Sequence, residues 1–321
     1  MTAPPRGSPP LRLGTRKSPM AMAQSQRVGR VITERTGRAV ELTGITTFGD
    51  VSRAELAQIG GTGVFVSGLR ASLLAGDIDI AVHSLKDLPT AAADGIQLAA
   101  VPSRDDPRDA LAARDGAKLA DLPPGARIGT GSPRRAAQLL LLRPDLRVVP
   151  VRGNAGTRLA RVASGEVDAV VLAYAGLARI DRLDAVTQIF EPDEMLPAPG
   201  QGALAVECRS GEPELSGLLA CADDAATRAA VTAERSLLAA LQAGCSAPVG
   251  GYAAGTDALR LRAVVAVAGG EMALRASAGG PAEEAELLGR QVAAELLGRG
   301  AGRYTAVSAE IAGHISIGDD D

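Results

Sequence analysis

Tryptophan is absent, and Phe48, Phe65, Phe190, Tyr174, Tyr252 and Tyr304 are the only aromatic residues. The chain therefore has no material for the base-stacking platforms of single-stranded nucleic-acid binders. Histidine occurs only at His83 and His314, which argues against a histidine-based zinc site or a Ser–His–Asp triad. Three scattered cysteines, Cys208, Cys221 and Cys245, are too few for a disulfide framework or a cysteine-rich metal site, and a reducing cytoplasm is the expected location. No apolar run approaches the roughly 20 residues needed to span a bilayer. Met1–Pro10 lacks the apolar core of a signal peptide and reads as a Pro-rich disordered lead, and Asp319–Asp321 reads as a solvated tail.

Lysine is nearly missing too: all but three of the 34 basic residues are arginine. Genomic base composition accounts for much of that skew, so placement must decide which arginines matter. The net charge of −3 and a sequence pI of about 5.6 argue against nucleic acid as partner. With 321 residues, 46% of them hydrophobic, the chain can bury the cores of two or three domains.

Apolar runs alternate with helical patterns. Leu11–Thr15 reads as a buried strand, and Ser18-Pro19 opens a helix as N-cap and first-turn residue. Strands are expected at Ala39–Ile45 and Ile78–Val82, with a helix near Phe65–Leu74 between them and a mobile glycine-rich loop over Thr46–Gly63. Such alternation predicts an α/β sheet with parallel strands.

An internal repeat carries more information than any single element. Residues 12–24 read R-L-G-T-R-K-S-P-M-A-M-A-Q, and residues 127–138 read R-I-G-T-G-S-P-R-R-A-A-Q. In the same order, Gly76–Leu88 (G-D-I-D-I-A-V-H-S-L-K-D-L) is matched by Gly165–Leu177 (G-E-V-D-A-V-V-L-A-Y-A-G-L). Two similarly folded α/β lobes follow, enclosing a cleft at the carboxyl ends of the strands. Lobe 1 is expected to be discontinuous, residues 11–102 plus 203–222, and lobe 2 to cover 108–196. Val101–Arg108 and Leu196–Gly202 would cross between them. Residues 225–316 have no counterpart in the repeat and read as a small α+β domain. It would hold strands near Leu259–Ala268 and Met272–Ala276 and helices at Ala225–Leu241 and near Ala282–Leu297.

The turns Thr15–Ser18 and Thr130–Ser132 would face the cleft and offer helix N-termini to anions, although each could simply cap its helix. Arg134 and Arg135 open a helix where cations oppose the macrodipole, a placement that without a partner hints at function. Arg152, Arg158, Arg161 and Arg179 join them in lobe 2, and an arginine-lined cleft suits carboxylates or phosphates. His83–Pro89 (H-S-L-K-D-L-P) ends a buried strand. There, Asp87 is either a general acid/base or cation stabiliser, or half of a surface ion pair with Lys86; His83 reads as structural. Cys245, in the loop A-G-C-S-A-P-V-G, is a nucleophile, an attachment point or inert packing, whereas Cys208 and Cys221 read as packing.

Together these segments, with R-G-N-A-G-T-R at 152–158 and L-P-A-P-G-Q-G-A at 196–203, resemble the porphobilinogen deaminase (hydroxymethylbilane synthase) family in co-linear order from about residue 11 to 254. The alternative from another class is a two-lobed solute-binding protein or regulator effector module, which leaves Cys245 without a role. The resemblance implies two periplasmic-binding-protein-like α/β lobes with mixed, largely parallel sheets and a small C-terminal α+β domain, in a cytoplasmic, monomeric transferase of tetrapyrrole and haem biosynthesis. It would join four porphobilinogen molecules head to tail, releasing ammonia, into hydroxymethylbilane. A dipyrromethane cofactor would be held through a thioether to Cys245. By the same resemblance Lys86, Ser84, Thr130, Ser132, Arg134, Arg135, Arg152 and Gly153 hold the cofactor, and Arg16, Ser18, Gln24, Arg158, Arg179 and Gln201 line the substrate site. Asp87 would steady the azafulvenium cation left when ammonia departs. The loop 46–62 matches the family's mobile lid, departing from it at Gln58 and Thr62, where relatives carry lysine; Pro133 replaces the usual leucine and suits a helix N1 position.

Overall fold

The structure, a computed structural model, describes residues 9–45, 64–244, 247–267 and 269–305. The loop Thr46–Gly63 with Gln58 and Thr62, Cys245, His314, the Asp319–Asp321 tail and most of the Pro-rich lead lie outside these residues.

Two five-stranded sheets carry the repeat. The first contains β1 (Leu11–Arg16), β2 (Val40–Ile45), β3 (Ile80–Ser84), β4 (Ile96–Ala100) and β10 (Leu204–Arg209), in the order β2-β1-β3-β10-β4. The second contains β5 (Asp109–Ala113), β6 (Arg127–Gly129), β7 (Arg147–Val149), β8 (Ala169–Ala173) and β9 (Gln188–Ile189), in the order β7-β6-β8-β5-β9. In each, four strands run in one direction and one inserted strand runs antiparallel to both its neighbours. The inserted strand is the one reached after a crossing: β5 begins where the chain enters the second lobe, and β10 where it returns to the first. The two α/β lobes are thus the same fold.

The sequence repeat maps onto one recurring interaction. Asp79 accepts from the Arg12 backbone N–H at 2.9 Å, and Asp168 from that of Arg127 at 2.7 Å. An arginine at the end of each lobe's antiparallel strand then closes the pair: Arg209, the last residue of β10, reaches Asp79, and Arg114, just after β5, reaches Asp168. Gly14 and Gly129 match as well. A Cβ would meet Ile78 Cδ1 at 2.2 Å in one lobe and Val151 Cγ2 at 2.6 Å in the other, so both strands need glycine where a neighbour closes in.

Burial follows the expected periods. Leu11, Leu13, Val28, Ile32, Ile80, Val82 and Val206 fill one side of the first sheet. Leu111, Ile128, Leu139, Val171 and Phe190 fill one side of the second, and Val151, Leu159, Val170 and Leu177 the other. Ser18 caps the helix Pro19–Thr36 as expected, its Oγ accepting from Ala21 N at 3.3 Å. The third unit sets the antiparallel sheet β11 (Val249–Ala254), β12 (Ala258–Ala266) and β13 (Ala273–Pro281) against the helices Ala225–Ala240 and Ala285–Gly298.

Some elements differ from the reading of the sequence. The strand expected at Ile78–Val82 runs Ile80–Ser84, because the N–H groups of Asp77 and Ile78 turn back to the Ser72 carbonyl. β11 was not foreseen: its V-G-G-Y-A-A offers only small side chains, and pairing with β12 along its whole length makes it a strand. Cys208 is fully buried in β10, in keeping with packing.

Candidate active site

The crossing segments meet at one buried carboxylate. Asp109, the first residue of β5, is completely enclosed. Arg134 Nη1 donates to its Oδ2 at 2.7 Å, and Arg135 Nε and Nη2 donate to its Oδ1 at 3.0 and 2.7 Å. This corrects the reading of Arg134 and Arg135 as cations without a partner. Both sit in the first turn of the helix Pro133–Leu142 with side chains only 4% and 7% exposed, and Asp109 offsets the positive helix end they would otherwise aggravate. Arg134 also donates to Leu196 O at 2.7 Å, and Arg135 to Val171 O at 3.1 Å. Arg134 Nε is buried with no partner among the described residues. Burial pushes the Asp109 carboxyl up, but the two guanidinium charges and the bonds from Arg134 and Gln201 outweigh it and hold it well below the usual carboxylate range.

Gln201 extends the cluster into lobe 1. It is buried, its Nε2 donating to Asp109 Oδ1 at 2.9 Å and to Pro107 O at 2.7 Å, while its Oε1 accepts from Lys86 Nζ at 3.3 Å. Lys86 sits in the turn Leu85–Asp87 that continues β3, with Ser84 as N-cap. Burial pushes the Lys86 ammonium down to about 8; Asp87 and Asp109 pull it up, and Arg135 and Arg134 push it down further. Asp87 is exposed beside it. Arg235, from the helix Ala225–Ala240, donates to the carbonyls of Leu88 and Pro89 at 3.0 and 2.7 Å and pins the end of that turn. Behind it His83 is buried, its Nε2 lying 3.2 Å from Glu207, which Arg70 grips through two bonds.

The remaining expected residues surround this centre unevenly. Thr130 is buried and accepts from Ser132 N at 3.2 Å; Ser132 makes no capping bond, unlike its counterpart Ser18. Arg158 donates to Gly153 O at 2.8 Å across the turn that begins with Arg152, which is exposed. Burial, aided by the charge of Arg135, pushes the Arg158 guanidinium down. Arg16 is half-buried at the end of β1, and Gln24 is buried with its Nε2 unpartnered among the described residues. Arg179 is engaged elsewhere, with Asp105 and with Gly202 O at 2.7 Å.

Asp109, Asp105, Arg104 and Arg235 were not singled out from the sequence. Only Asp109 left a signal there: a lone acid opening the apolar run D-A-L-A-A immediately after a crossing segment. Arg104 ties the crossing segment to the third unit through two bonds to the buried Glu234, which also accepts from Gly200 N and Ala253 N.

Around Lys86, then, Arg134 and Arg135 join it against two carboxylates, Asp87 and Asp109, and Arg158 adds a fourth cation beside Arg135. The positive excess, held in partly dehydrated surroundings, suits a ligand bearing several acid groups.

Comparison with known proteins agrees with that chemistry. Residues 11–217 match the family described as porphobilinogen deaminase, dipyromethane cofactor binding domain, and residues 228–298 match porphobilinogen deaminase, C-terminal domain. A porphobilinogen deaminase of Thermobifida fusca (strain YX) is 60% identical over 94% of this chain and 97% of that protein. Porphobilinogen deaminase 1 of Streptomyces coelicolor is 56% identical over 91% of this chain and 96% of its own length. Among solved structures, a methionine-binding protein, MetQ, is similar over 66% of this chain and 89% of that one, at 12% identity and a TM-score of 0.43. No helix among the described residues is long and apolar enough to cross a membrane.

Proposed function

The chain belongs to the porphobilinogen deaminase family, and from that premise we propose how its residues divide the work. The enzyme is a transferase that joins porphobilinogen head to tail, with loss of ammonia, into hydroxymethylbilane on a covalently held dipyrromethane. The single observation that carries the division of labour is the cation cluster of buried Arg134 and Arg135 with half-buried Lys86, in which Arg134 Nε has no partner among the described residues.

Pyrroles of this pathway carry an acetate and a propionate, so the donor set fits the cofactor: planar guanidinium forks and an ammonium meet carboxylates. When bound, dipyrromethane supplies the pyrrole carbon to which the chain is added. Lys86, Arg134 and Arg135 hold its acid groups. Ser84, Thr130, Ser132, Arg152 and Gly153 supply polar contacts around them, and Cys245 anchors it through sulfur. Arg16, Ser18, Gln24 and Arg158 receive the acid groups of porphobilinogen. Arg179 and Gln201, which now serve Asp105 and Asp109, line the substrate site from the crossing side.

Asp87 has the position and exposure for the reacting end. Its carboxylate faces positive charge developing on the substrate ring nitrogen as ammonia leaves; at 4 Å and an effective dielectric of 20 that attraction is about 4 kcal/mol. Its neighbour Lys86 feels the charge of both Asp87 and the guanidinium pair, and so links the cation-stabilising and acid-binding parts of the site. The reading extends to a monomer in the cytoplasm acting on a small molecule, away from nucleic acid and membranes, which the pI of about 5.6 and the scattered cysteines favour.

Intact mass tests the reading. Purified active protein is expected to exceed its sequence mass by one dipyrromethane unit and to colour with Ehrlich's reagent, and Cys245→Ser abolishes both. Active protein of plain sequence mass overturns it.

A further inference from the structure

We infer that Asp109 is a positioning residue for acid recognition, a resident anion that holds Arg134, Arg135 and, through Gln201, Lys86 in the arrangement that receives the ligand's carboxylates; this rests on the reading above.

The geometry is specific. One carboxylate takes both guanidinium groups, one on each oxygen, and its Oδ1 also accepts the Gln201 amide whose other end accepts from Lys86. The four groups come from different parts of the chain: Lys86 after β3, Asp109 opening β5, Arg134 and Arg135 on the helix after β6, and Gln201 on the returning segment. A single side chain therefore registers cations from both lobes at the point where the chain crosses twice.

Asp109 neither donates nor exchanges a proton at working pH, because its two arginines keep it ionised. It is enclosed, so it does not meet the reacting atoms. What it does is reduce repulsion. Without it, Arg134, Arg135, Lys86 and Arg158 would share one small volume beside a helix N-terminus with Asp87 alone to offset them. With it, the cluster remains net positive, and each guanidinium keeps N–H groups that Asp109 does not use: Arg134 Nε has no partner among the described residues, and Arg135 keeps one hydrogen on each terminal nitrogen beyond its bonds to Asp109 and Val171. The Lys86 ammonium, at about 8, is kept charged against burial and its cationic neighbours by Asp87 first and then by the same anion.

The test uses the full-length chain produced without porphobilinogen. Competitive acetylation measured peptide by peptide reads the titration of Lys86, with Lys17 as internal reference. Addition of porphobilinogen followed by intact mass reads the rate of cofactor loading. In Asp109→Asn, the Lys86 midpoint is expected to fall by about half a unit or more, and loading to slow by about tenfold or more, the loss of one charge-assisted contact. Circular dichroism establishes that the variant is folded. Should it not fold, Gln201→Met leaves the Asp109–arginine pairs intact while cutting Lys86 from them, and the same two changes are expected. Wild-type loading and an unmoved Lys86 midpoint in a folded variant overturn the inference. Wild-type protein that never gains the pyrrole mass overturns instead the reading on which it rests.

Discussion

Arg179 holds Asp105 through its Nε at 2.8 Å, joining lobe 2 to the segment that crosses out of lobe 1. Asp105 also pairs with Arg27 on the first helix of lobe 1, and Arg179 adds a bond to the Gly202 carbonyl on the returning segment. One carboxylate thus fastens both lobes to both crossings.

Asp105→Asn is expected to remove about 1.5–3 kcal/mol of stability, the range for a hydrogen bond to a charged partner. For a chain of this size that lowers the calorimetric midpoint by several degrees. The loss shrinks in high salt, since Arg27 is half-exposed and its share is screened. An unchanged midpoint at low salt refutes the fastening role.

Asp87→Asn is expected to lower kcat by at least a hundredfold while the pyrrole mass stays attached. An amide keeps the shape and loses the charge, and a cation-stabilising interaction realised only during reaction shows in kcat rather than in loading. Turnover at the wild-type rate removes Asp87 from the reaction.

Lys86 makes the site pH-dependent. Its folded pKa lies below the usual lysine value, at about 8, so the charged form fades above that pH in the ligand-free chain. The profile of kcat/KM against pH is expected to fall on its alkaline side near 8, and Lys86→Met to remove that limb while weakening binding at neutral pH. The same shift has a consequence for stability. From about 8 up to the unfolded value the unfolded chain binds more protons, so the contribution of Lys86 to stability rises with pH. A limb that survives in Lys86→Met assigns it to another group.

Glu207 is shifted in the same direction, by its partners rather than by burial. Burial pushes its carboxyl up, but bonds from His83 and Arg70 prevail and bring it down to about 2. Its contribution is present above the unfolded carboxylate value of 4.5 and is lost as pH falls from there toward 2. Glu207→Gln leaves Arg70 without its anion and is expected to cost about 3–5 kcal/mol at neutral pH. Acid unfolding curves of variant and wild type should then converge near pH 2, and parallel curves contradict this account.

The lobes were legible in the sequence because their repeat lies in residues that do the same physical job twice. R-x-G-T supplies the arginine that meets an aspartate and the glycine a neighbour needs, and G-[DE]-x-D supplies that aspartate. The arginines of the site were legible as a group. Their partner was not, since Asp109 precedes Arg134 by 25 residues and Gln201 by 92, and only the insertion of β5 beside β8 brings them together. Asp105 with Arg27 and Arg104 with Glu234 are hidden for the same reason. The short strand β11 escaped because small residues carry no hydrophobic alternation.

The inserted strand also sets an order of maturation at the ribosome. β3 and β4 both pair with β10 rather than with each other, so the N-terminal lobe keeps two unsatisfied strand edges until residue 209 has been made. The lobe built from residues 109–189 has all five of its strands in hand earlier. The half translated second is thereby the first that can close, and the half translated first must wait with exposed edges for the chain to come back.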